Sequence, residues 1–480
     1  MIAYFLRWSF VVCIAWYPLV TLAVDDLGQM VDQLIEQKIP ELFGLEKSLS
    51  HSSSQPIFRA VDQKAGDLIA LASGLQATFI TRQAANSTDM MVLWPNEAQP
   101  QYLITCVEED HHMIALGKLN PSVQRIDLAT GKVETLLRGM SHCDGIRQTP
   151  WRTILATEET EDGRAYEILD PLSVTGEIVQ SRSSGKITQK DGKTPSIHIA
   201  QRSNMPMIAW EGLEVLPSGV VVGGDELRPG TLSKDADGGA LFKFVPEKLY
   251  KGTPIDRLDQ SPLAQGTTYA LQVWCYENGN FSNPQYGQGC EVGNASWVKV
   301  EAKTARLESA KKGATGFFRP EDLHLDPLYK GEGVRYCWTN TGNKKASHFA
   351  EVMCAHDQLP DGVNTQKATV IINRFIEGDP EFNSFDNLAF QKSTGNLYIL
   401  EDTEFGDILA CLPDGKDRNI KSDGCIRIAS VKDPSAEFTG FIFSEDGLKA
   451  FVSIQHSKDD NMPLFDGFTT DDIIMITGWK

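Results

Sequence analysis

The sequence has little positive charge. Its 480 residues include 45 lysines and arginines against 64 aspartates and glutamates, which gives a formal net charge of −19 at pH 7. A chain without a basic patch cannot neutralise a phosphate backbone, so we expect no nucleic-acid partner. The excess of acid fits a soluble protein outside the cytoplasm.

Several motifs that mark enzyme classes are missing. The sequence contains no Walker A loop, no HExxH and no GxSxG, which argues against the nucleotide-binding, zinc-protease and α/β-hydrolase chemistries that those motifs support. It contains no CxxC pair, so a zinc ribbon or a thioredoxin-like site has no support. The nine histidines do not cluster at metal-binding spacing.

Long apolar runs are rare, and the one run of note lies at the N-terminus. Arg7 precedes an apolar stretch that extends from Trp8 to Val20 and is interrupted by Pro18, and small residues follow it. This pattern predicts a secretory signal peptide over residues 1–23 and favours it over an uncleaved membrane anchor. We therefore expect a periplasmic or secreted protein with no membrane span after signal removal.

Cysteine is sparse, and its spacing suggests bridges. Loss of the signal peptide removes Cys13 and leaves eight cysteines, an even number suited to an oxidising compartment. We predict the bridges Cys275–Cys290, Cys337–Cys354 and Cys411–Cys425, with Cys106–Cys143 as the remaining pair. Spacing alone leaves the connectivity open.

Helical periodicity is nearly absent after residue 64. Apolar residues at helical spacing predict a short amphipathic helix over Asp25–Lys38, inside a helical or extended segment over residues 24–64. We assign residues 65–480 to a single domain, because no linker rich in proline or serine divides them.

A recurring unit predicts the fold of that domain. In the stretch Asn383–Cys411, two short strands at Leu388–Phe390 and Asn396–Leu400 flank a glycine turn, with acids at both ends. The order of acid, short strand, glycine turn, apolar strand and acid returns at irregular intervals, with 267–300 expected as a long insert. We predict an all-β fold, a β-propeller with long inserted loops and a short N-terminal helix, in preference to a sandwich.

The recurrent acids predict a cation site. Propeller blades direct their innermost strands at a central channel, so acids at one edge of the blades would converge there. Two carboxylates about 4 Å apart repel by about 4 kcal/mol at an effective dielectric near 20. Hard oxygen ligands of this kind suit Ca²⁺ or Fe³⁺.

Five segments carry a resemblance to a known family. They are WRTILATEETEDGRAY (151–166), WEGLEVLPSGVVVGGDE (210–226), RPED (319–322), the stretch DNLAF through ED (386–402) and EFTGFIFSEDGLKAFVSIQHS (437–457). In order and spacing, from about residue 106 to residue 457, the chain resembles a divergent member of the PhoX-type alkaline phosphatase family.

The resemblance implies a secreted β-propeller hydrolase that acts on small phosphate monoesters with Ca²⁺ and iron in the channel. The family's Arg-x-Glu motif falls on Arg319, expected to contact phosphate, and on Glu321, expected to bind metal. The expected metal ligands are Glu158, Glu159, Glu211, Glu321, Asp386 and Glu437, and the further candidates are Thr157, Asn387, Asp225 and Glu401.

The sequence departs from the family pattern at two positions. Thr157 stands where the family has an iron-binding cysteine, and Trp210 stands where it has a histidine. We expect Ca²⁺ to be retained and iron to be lost or held more weakly, because a neutral hydroxyl is a poor substitute for a thiolate. Two other functions stay open: a non-catalytic, Ca²⁺-stabilised propeller that binds a ligand or protein at the cell surface, and a lactonase-like hydrolase. We expect a monomer.

Overall fold

The structure is a computed structural model of the chain and describes residues 27–228, 238–274, 276–277, 280–281, 291–344, 348–413, 424–458 and 461–480. The expected signal peptide lies outside the described residues, as do Cys275 and Cys290 of one expected bridge. None of the described helices is long and apolar enough to cross a membrane.

Short helices precede the sheets. They are α1 (Leu27–Gln37), α2 (Ile39–Phe43) and α3 (Ala65–Leu68), and a fourth helix, α4 (Ala305–Lys311), follows much later. The helix expected over Asp25–Lys38 is therefore confirmed. Its apolar side packs on the sheets, because Ile35 is buried in a cluster that also contains Trp479, and Val31 packs against that cluster.

Short strands make up most of the rest of the described chain. In the first part they are β1 (Ile69–Leu71), β2 (Gln76–Ala85), β3 (Thr88–Trp94), β4 (Tyr102–Val107), β5 (Met113–Ala115), β6 (Lys118–Leu119), β7 (Pro121–Asp127), β8 (Val133–Arg138), β9 (Cys143–Gln148), β10 (Thr153–Glu158), β11 (Ala165–Leu169), β12 (Glu177–Ser181), β13 (Lys186–Thr188) and β14 (Ile199–Gln201). In the middle part they are β15 (Trp210–Val215), β16 (Val221–Asp225), β17 (Leu241–Pro246), β18 (Gly266–Val273), β19 (Tyr276–Glu277), β20 (Asn280–Phe281) and β21 (Gly293–Val300). In the last part they are β22 (Pro320–Leu325), β23 (Val334–Asn340), β24 (Glu351–Asp357), β25 (Val370–Glu377), β26 (Phe385–Phe390), β27 (Leu397–Glu401), β28 (Asp407–Cys411), β29 (Cys425–Val431), β30 (Glu437–Phe443), β31 (Lys449–Gln455) and β32 (Thr470–Thr477).

The strands form a propeller. Within the described residues, six four-stranded antiparallel blades can be traced, from the innermost strand outward: β3-β4-β7-β8, β9-β10-β11-β14, β15-β16-β17-β18, β22-β23-β24-β25, β26-β27-β28-β29 and β30-β31-β32-β2. We number them blades 1 to 6. Each innermost strand lies beside the innermost strands of both neighbouring blades, and β30 lies beside β3, so the ring is closed. The predicted all-β propeller is confirmed.

The interval 267–300 does more than interrupt the pattern. It supplies β18, the outer strand of blade 3, and β21, which pairs with both β18 and β25. Blades 3 and 4 are therefore joined at their outer edges into one nine-stranded sheet. The expectation of a simple insert was wrong for the described part of this interval.

The two ends of the described chain meet in blade 6. The early strand β2 pairs antiparallel with the last strand β32, from Gln76 opposite Thr477 to Ala85 opposite Thr470. This pairing joins an early strand and the last strand in one blade and so closes the ring. The buried Asp472 also holds the N-terminal segment, since it lies 2.7 Å from Arg59 Nη2.

Apolar side chains fill the spaces between neighbouring blades. Leu137 of blade 1 and Ile154 of blade 2 belong to one buried cluster, and Leu241 of blade 3 and Trp338 of blade 4 belong to another. Full burial of such side chains contributes about 1.5–3 kcal/mol each. This packing fixes the blades against one another and so fixes the channel between them.

Three of the four predicted disulfides are confirmed. They are Cys106–Cys143, Cys337–Cys354 and Cys411–Cys425. The first joins β4 of blade 1 to the innermost strand of blade 2, whereas the other two lie within blades 4 and 5.

Candidate metal centre

The innermost strands of blades 1 to 5 share one irregularity. Each pairs with its neighbour at or near its first residue, leaves two residues unpaired as a β-bulge, and then resumes pairing. The first unpaired residue is an acid in every case: Asp89, Asp144, Glu211, Glu321 and Asp386. Because a bulge changes the direction of a side chain, these five carboxylates turn inward at one end of the channel.

Blade 6 has no acid at the first position of its bulge. Its bulge begins at Gly440, and a Cβ on that residue would lie 2.4 Å from the backbone oxygen of Asp89. The Gly440 amide donates instead to Asn387 Oδ1 at 2.7 Å. The acid of this blade, Glu437, stands at the start of β30, and burial together with the neighbouring carboxylate of Asp402 raises its pKa.

Ligand atoms from eight residues come together at this end of the channel. Four groups have ligand atoms within 4.8 Å of one another: Glu108–His142–Glu159, Asp89–Glu108–Asp144, Asp144–Glu159–Glu211 and Glu211–Glu321–Asp386. Four of the residues belong to two groups each, so the groups form one continuous set, which we call the channel cluster. It spans blades 1 to 5.

Burial shows that the channel cluster fits hard cations. Asp89, Asp144 and Glu211 have side chains that are almost entirely buried. Among the described residues, no hydrogen-bond partner reaches Asp89 Oδ1, Asp144 Oδ1 or Glu211 Oε2. An ionised carboxylate is costly to bury without a partner. Oxygen donors in this state are the ligands that Ca²⁺ and other hard cations prefer.

The raised pKa values of these carboxyl groups also fit a site for cations. Burial, reinforced by nearby carboxylates, raises the pKa of Asp89, Asp144, Glu211 and Asp386 well above the ordinary range. Burial also raises the pKa of Glu321 to about 7, although the positive charge of Arg319 acts in the opposite direction. Burial and mutual repulsion therefore disfavour the charged form of these carboxylates, and bound cations would offset both effects.

Arg319 lies at the edge of the cluster in a fixed orientation. Its Nε donates to Glu226 Oε1 at 2.6 Å, and its Nη2 lies 3.1 Å from Glu321 Oε1. Its backbone is in the left-handed region, with φ of +59°. Thr341 donates its amide to the Arg319 carbonyl, which helps to hold this unusual backbone.

His142 is the one histidine of the channel cluster. Its Nδ1 lies 3.3 Å from Glu108 Oε1, and its Nε2 lies 3.0 Å from Asp110 Oδ1. The hydrogen bond to Glu108 is the largest cause that raises the pKa of His142 to about 9. Burial acts to raise the pKa of Glu108, but the contacts with His142 outweigh it and the pKa is lowered.

Two sequence candidates lie apart from the cluster. Glu158 is bound by Arg182, with Oε1 2.9 Å from Nε and Oε2 2.9 Å from Nη2. Asp225 is bound by Arg306, whose Nη2 lies 2.5 Å from Oδ1. Both carboxylates already have a guanidinium partner, and neither belongs to the channel cluster.

Two further candidates, Thr157 and Glu401, have hydrogen-bond partners on the backbone. Thr157 is buried, and its hydroxyl donates to the Gly145 carbonyl at 2.9 Å. Glu401 accepts from the Asn383 amide at 2.9 Å, and burial raises its pKa to about 7. Glu159, Glu211, Glu321 and Asp386 are the predicted ligands that the structure brings together.

At the other end of the channel, basic side chains accompany the acid. Asp322 follows Glu321 in the chain but accepts from Arg147 Nη2 at 3.0 Å and lies 3.1 Å from His324 Nε2. Burial acts to raise its pKa, but His324 and Arg147 outweigh it, and the pKa is lowered. Arg147 and His324 also line a cavity of about 440 Å³ at that end, which does not include the channel cluster.

Sequence reasoning missed five residues of the site: Asp89, Glu108, His142, Asp144 and Glu226. A signal existed for two of them. Asp144 is followed by a glycine and a short strand, as Glu211 is, and Asp89 directly precedes a strong strand pattern. Glu226 ends the same unit as Asp225, which the sequence analysis selected instead, and only the folded chain places Glu108 and His142 in the cluster.

A comparison with known families and structures gives one clear result. The family model described as "Alkaline phosphatase PhoX" matches residues 140–458. A solved structure of Pseudomonas fluorescens PhoX in complex with vanadate, a transition state analogue, is similar over 89% of this chain and 98% of that chain, with 16% identity and a TM-score of 0.58. That match supports the same fold.

Other similarities are weaker. The PQQ-bound aldose sugar dehydrogenase of Streptomyces coelicolor matches over 85% of this chain and 99% of that chain, with 12% identity and a TM-score of 0.43. A comparison with curated protein sequences found no match.

Proposed function

Because the chain belongs to the alkaline phosphatase PhoX family, we propose that it is a metal-dependent phosphatase acting on small phosphate monoesters at the acidic end of the channel. The observation that carries the proposal is a set of buried carboxylate oxygens that no other described residue reaches, together with Arg319, which bridges to Glu321 of the channel cluster. Phosphoryl transfer depends mainly on positioning and charge neutralisation, and this arrangement offers both.

The channel cluster holds the cations in this proposal. Glu211, Glu321 and Asp386 provide a site made only of oxygen, which suits Ca²⁺. Cations held there would neutralise the charge on phosphate oxygens and would lower the pKa of a bound water. Thr341 donates its hydroxyl to Glu321 Oε1 and thereby orients that ligand.

Arg319 binds the phosphate. Glu226 takes its Nε and Glu321 takes its Nη2, whereas no described residue accepts from Nη1. A guanidinium held on one side in this way presents its free edge in a single direction. Planar donors suit two phosphate oxygens, so Arg319 would bind and orient the transferred group.

The disulfides support a location outside the cytoplasm. Three bridges within the described residues fit an oxidising compartment. Together with the signal peptide expected over residues 1–23, they support a periplasmic or secreted phosphatase.

A second function has one observation in its favour. Trp210 replaces the family's histidine, and its side chain is buried with Nε1 donating to the Pro206 carbonyl at 3.0 Å. It therefore cannot serve as a ligand. A propeller that lost one ligand and its thiolate would remain able to hold Ca²⁺ as a non-catalytic binding protein.

Activity on a simple ester separates the two functions. Purified protein reconstituted with Ca²⁺ and Fe³⁺ should hydrolyse p-nitrophenyl phosphate, and removal of the cations by a chelator should abolish the reaction. No turnover by the fully reconstituted protein would favour the binding protein.

A further inference from the structure

The end of the channel opposite the channel cluster holds a cavity of about 440 Å³. This volume lies within the range of small-molecule binding sites. All six innermost strands contribute their last or next-to-last residue to its wall: Leu93, Gln148, Glu214, Leu325, Phe390 and Phe443. The cavity therefore lies at the axis of the propeller, where every blade meets it.

The cavity is separate from the channel cluster. In blades 1 to 5 its wall residues follow the bulged acids by three or four positions, which at about 3.3 Å per residue places them roughly 10–13 Å further along the strands. Neighbouring innermost strands approach closely in between, because a Cβ on Gly145 would lie 2.1 Å from the Glu211 carbonyl oxygen and one on Gly212 would lie 2.1 Å from the Leu323 nitrogen. Among the described residues, none belongs to both the cavity wall and the cluster.

Two ion pairs lie in the cavity wall. Arg335 Nη1 is 2.7 Å from Asp326 Oδ2, and Lys392 pairs with Glu97. Each pair joins one positive and one negative side chain of the wall. These four residues therefore add no net charge to the cavity.

The remaining charges of the wall are also balanced. Arg147 Nη2 donates to Oδ1 of the buried Asp322 at 3.0 Å. Glu214 lies farther away, with Oε2 3.9 Å from Arg147 Nε, and burial raises its pKa, which favours the uncharged carboxyl group. His324 Nε2 is 2.8 Å from Arg147 Nη2, and the guanidinium disfavours a second positive charge at that distance. An ionic ligand would find no unpaired charge of opposite sign.

Polar and apolar groups divide the wall between them. Nothing in the described part of the chain pairs with His324 Nδ1, since both contacts of the ring are made by Nε2. An uncharged Glu214 carboxyl group both donates and accepts a hydrogen bond. Leu93, Phe390 and Phe443 supply apolar surface. Sites for small organic molecules commonly combine apolar walls with a few polar groups that orient the ligand.

We infer that this cavity binds a small uncharged ring compound that carries a hydrogen-bond donor and an acceptor on one edge. The apolar side chains cover the ring, and His324 and Glu214 bind the polar edge. A charged group would lose its hydration there without gaining a free partner of opposite charge. The inference goes beyond the proposed phosphatase and requires neither bound cations nor catalytic activity.

Three probes of similar shape test the charge preference. Benzamide is uncharged, benzoate is an anion and benzylammonium is a cation, and each is titrated into the purified protein at about pH 7 with binding followed by ligand-observed nuclear magnetic resonance. We expect benzamide to bind at least about tenfold more tightly than either ion. Failure of benzamide to bind, or equal or tighter binding of a charged probe, would overturn the inference.

Variants test the place of binding. Val334 is a partly buried residue of the cavity wall at the start of β23, and Val334→Trp should fill the cavity and weaken benzamide binding by at least about tenfold. Leu307→Trp is the matched control, because Leu307 is exposed on α4 and does not line the cavity. It should bind benzamide as the wild type does. Unchanged affinity in Val334→Trp contradicts the assignment.

The polar edge has its own pair of variants. Glu214→Gln should keep benzamide affinity within about threefold of wild type, because an amide also donates and accepts. Glu214→Leu should lose about tenfold, since it leaves the polar edge of the ligand without that partner. Equal affinities of the two variants would remove Glu214 from the site.

A measurement on the wild type covers the case of a variant that does not fold. 4-Azidobenzamide activated by light should label β26 or β30, the strands of Phe390 and Phe443, and excess benzamide should protect them. Labelling confined to other parts of the chain would overturn the site. Protected labelling of these strands in a protein that does not hydrolyse p-nitrophenyl phosphate would uphold the site while the proposed function fails.

Discussion

Asp225 and Glu226 are neighbours in the chain with different partners. Successive side chains of an extended segment point to opposite sides, so Asp225 turns outward to Arg306 and Glu226 turns to Arg319. The sequence motif singled out Asp225, one residue away from the acid that contacts the site. A shift of one residue is enough to exchange the two faces.

Arg319→Ala should lower kcat/KM for p-nitrophenyl phosphate and leave the metal content unchanged. The loss of one charged donor to the transferring group corresponds to about 2–4 kcal/mol of transition-state stabilisation. Steady-state kinetics with elemental analysis measures both quantities.

Arg257→Ala is the control for this variant, because Arg257 is exposed and pairs with Asp259 on the surface. An Arg319→Ala protein with wild-type kcat/KM would remove Arg319 from the reaction.

Glu226→Ala should lower kcat/KM by about 10- to 100-fold, because a guanidinium that is free to move loses its orientation towards the phosphate. Glu226→Gln should lose less, since its amide oxygen can still accept from Arg319 Nε. A double-mutant cycle isolates the effect: in an Arg319→Ala background, Glu226→Ala should have little further effect on kcat/KM. Additive losses would mean that Glu226 acts independently of Arg319.

The element that builds the site is the bulged innermost strand. The acid–strand unit could be recognised in the sequence for Glu211, Glu321 and Asp386, because an acid before a short apolar strand leaves a visible pattern. At the end of β10, the sequence did not show which of two adjacent acids belongs to the cluster. Glu158 and Glu159 are adjacent, and only the folded strand shows that Glu159 enters the cluster while Glu158 pairs with Arg182.

Removal of the Cys106–Cys143 bridge should affect both stability and metal binding. The bridge closes a loop with a sequence separation of 37, which in the chain-entropy model stabilises the fold by about 4 kcal/mol. Cys143 directly precedes Asp144 of the cluster, so its release should also loosen that ligand. We expect a lower Tm and weaker binding of added cations in the Cys106→Ser, Cys143→Ser double variant.

The bridge between Cys337 and Cys354 provides the comparison, because it links β23 to β24 away from the cluster. Its removal should lower Tm without weakening cation binding. Equal losses of cation affinity in the two double variants would show that the effect is a general one of stability.

The whole molecule concentrates acid at one end of its channel, and this predicts how stability depends on pH. Burial raises the pKa of Glu321 and of Glu401 to about 7. Between about pH 4 and 7 the folded state then binds more protons than the unfolded state, so the free energy of unfolding falls as pH rises. The raised pKa of His142, about 9, continues the fall above pH 6.5.

Metal-free protein should therefore be more stable at pH 5 than at pH 8, and Ca²⁺ should restore most of the loss at pH 8. A cation that binds only the folded state stabilises it by mass action. Thermal unfolding of chelator-treated and Ca²⁺-loaded protein at pH 5, 6, 7 and 8 measures the difference. A metal-free protein that gains stability with rising pH would contradict the assignment.

The sequence by itself determined the class of fold, and it suggested the cysteine pairs without fixing their connectivity. The fold depends on a local pattern, in which acids stand next to short alternating strands. The tertiary structure decided which acids meet. Glu108, His142 and Glu226 reach the site from blades 1, 2 and 3, because closing the ring brings together strand ends that lie far apart in the chain. No local pattern encodes that distance, since it depends on how every blade packs against the next.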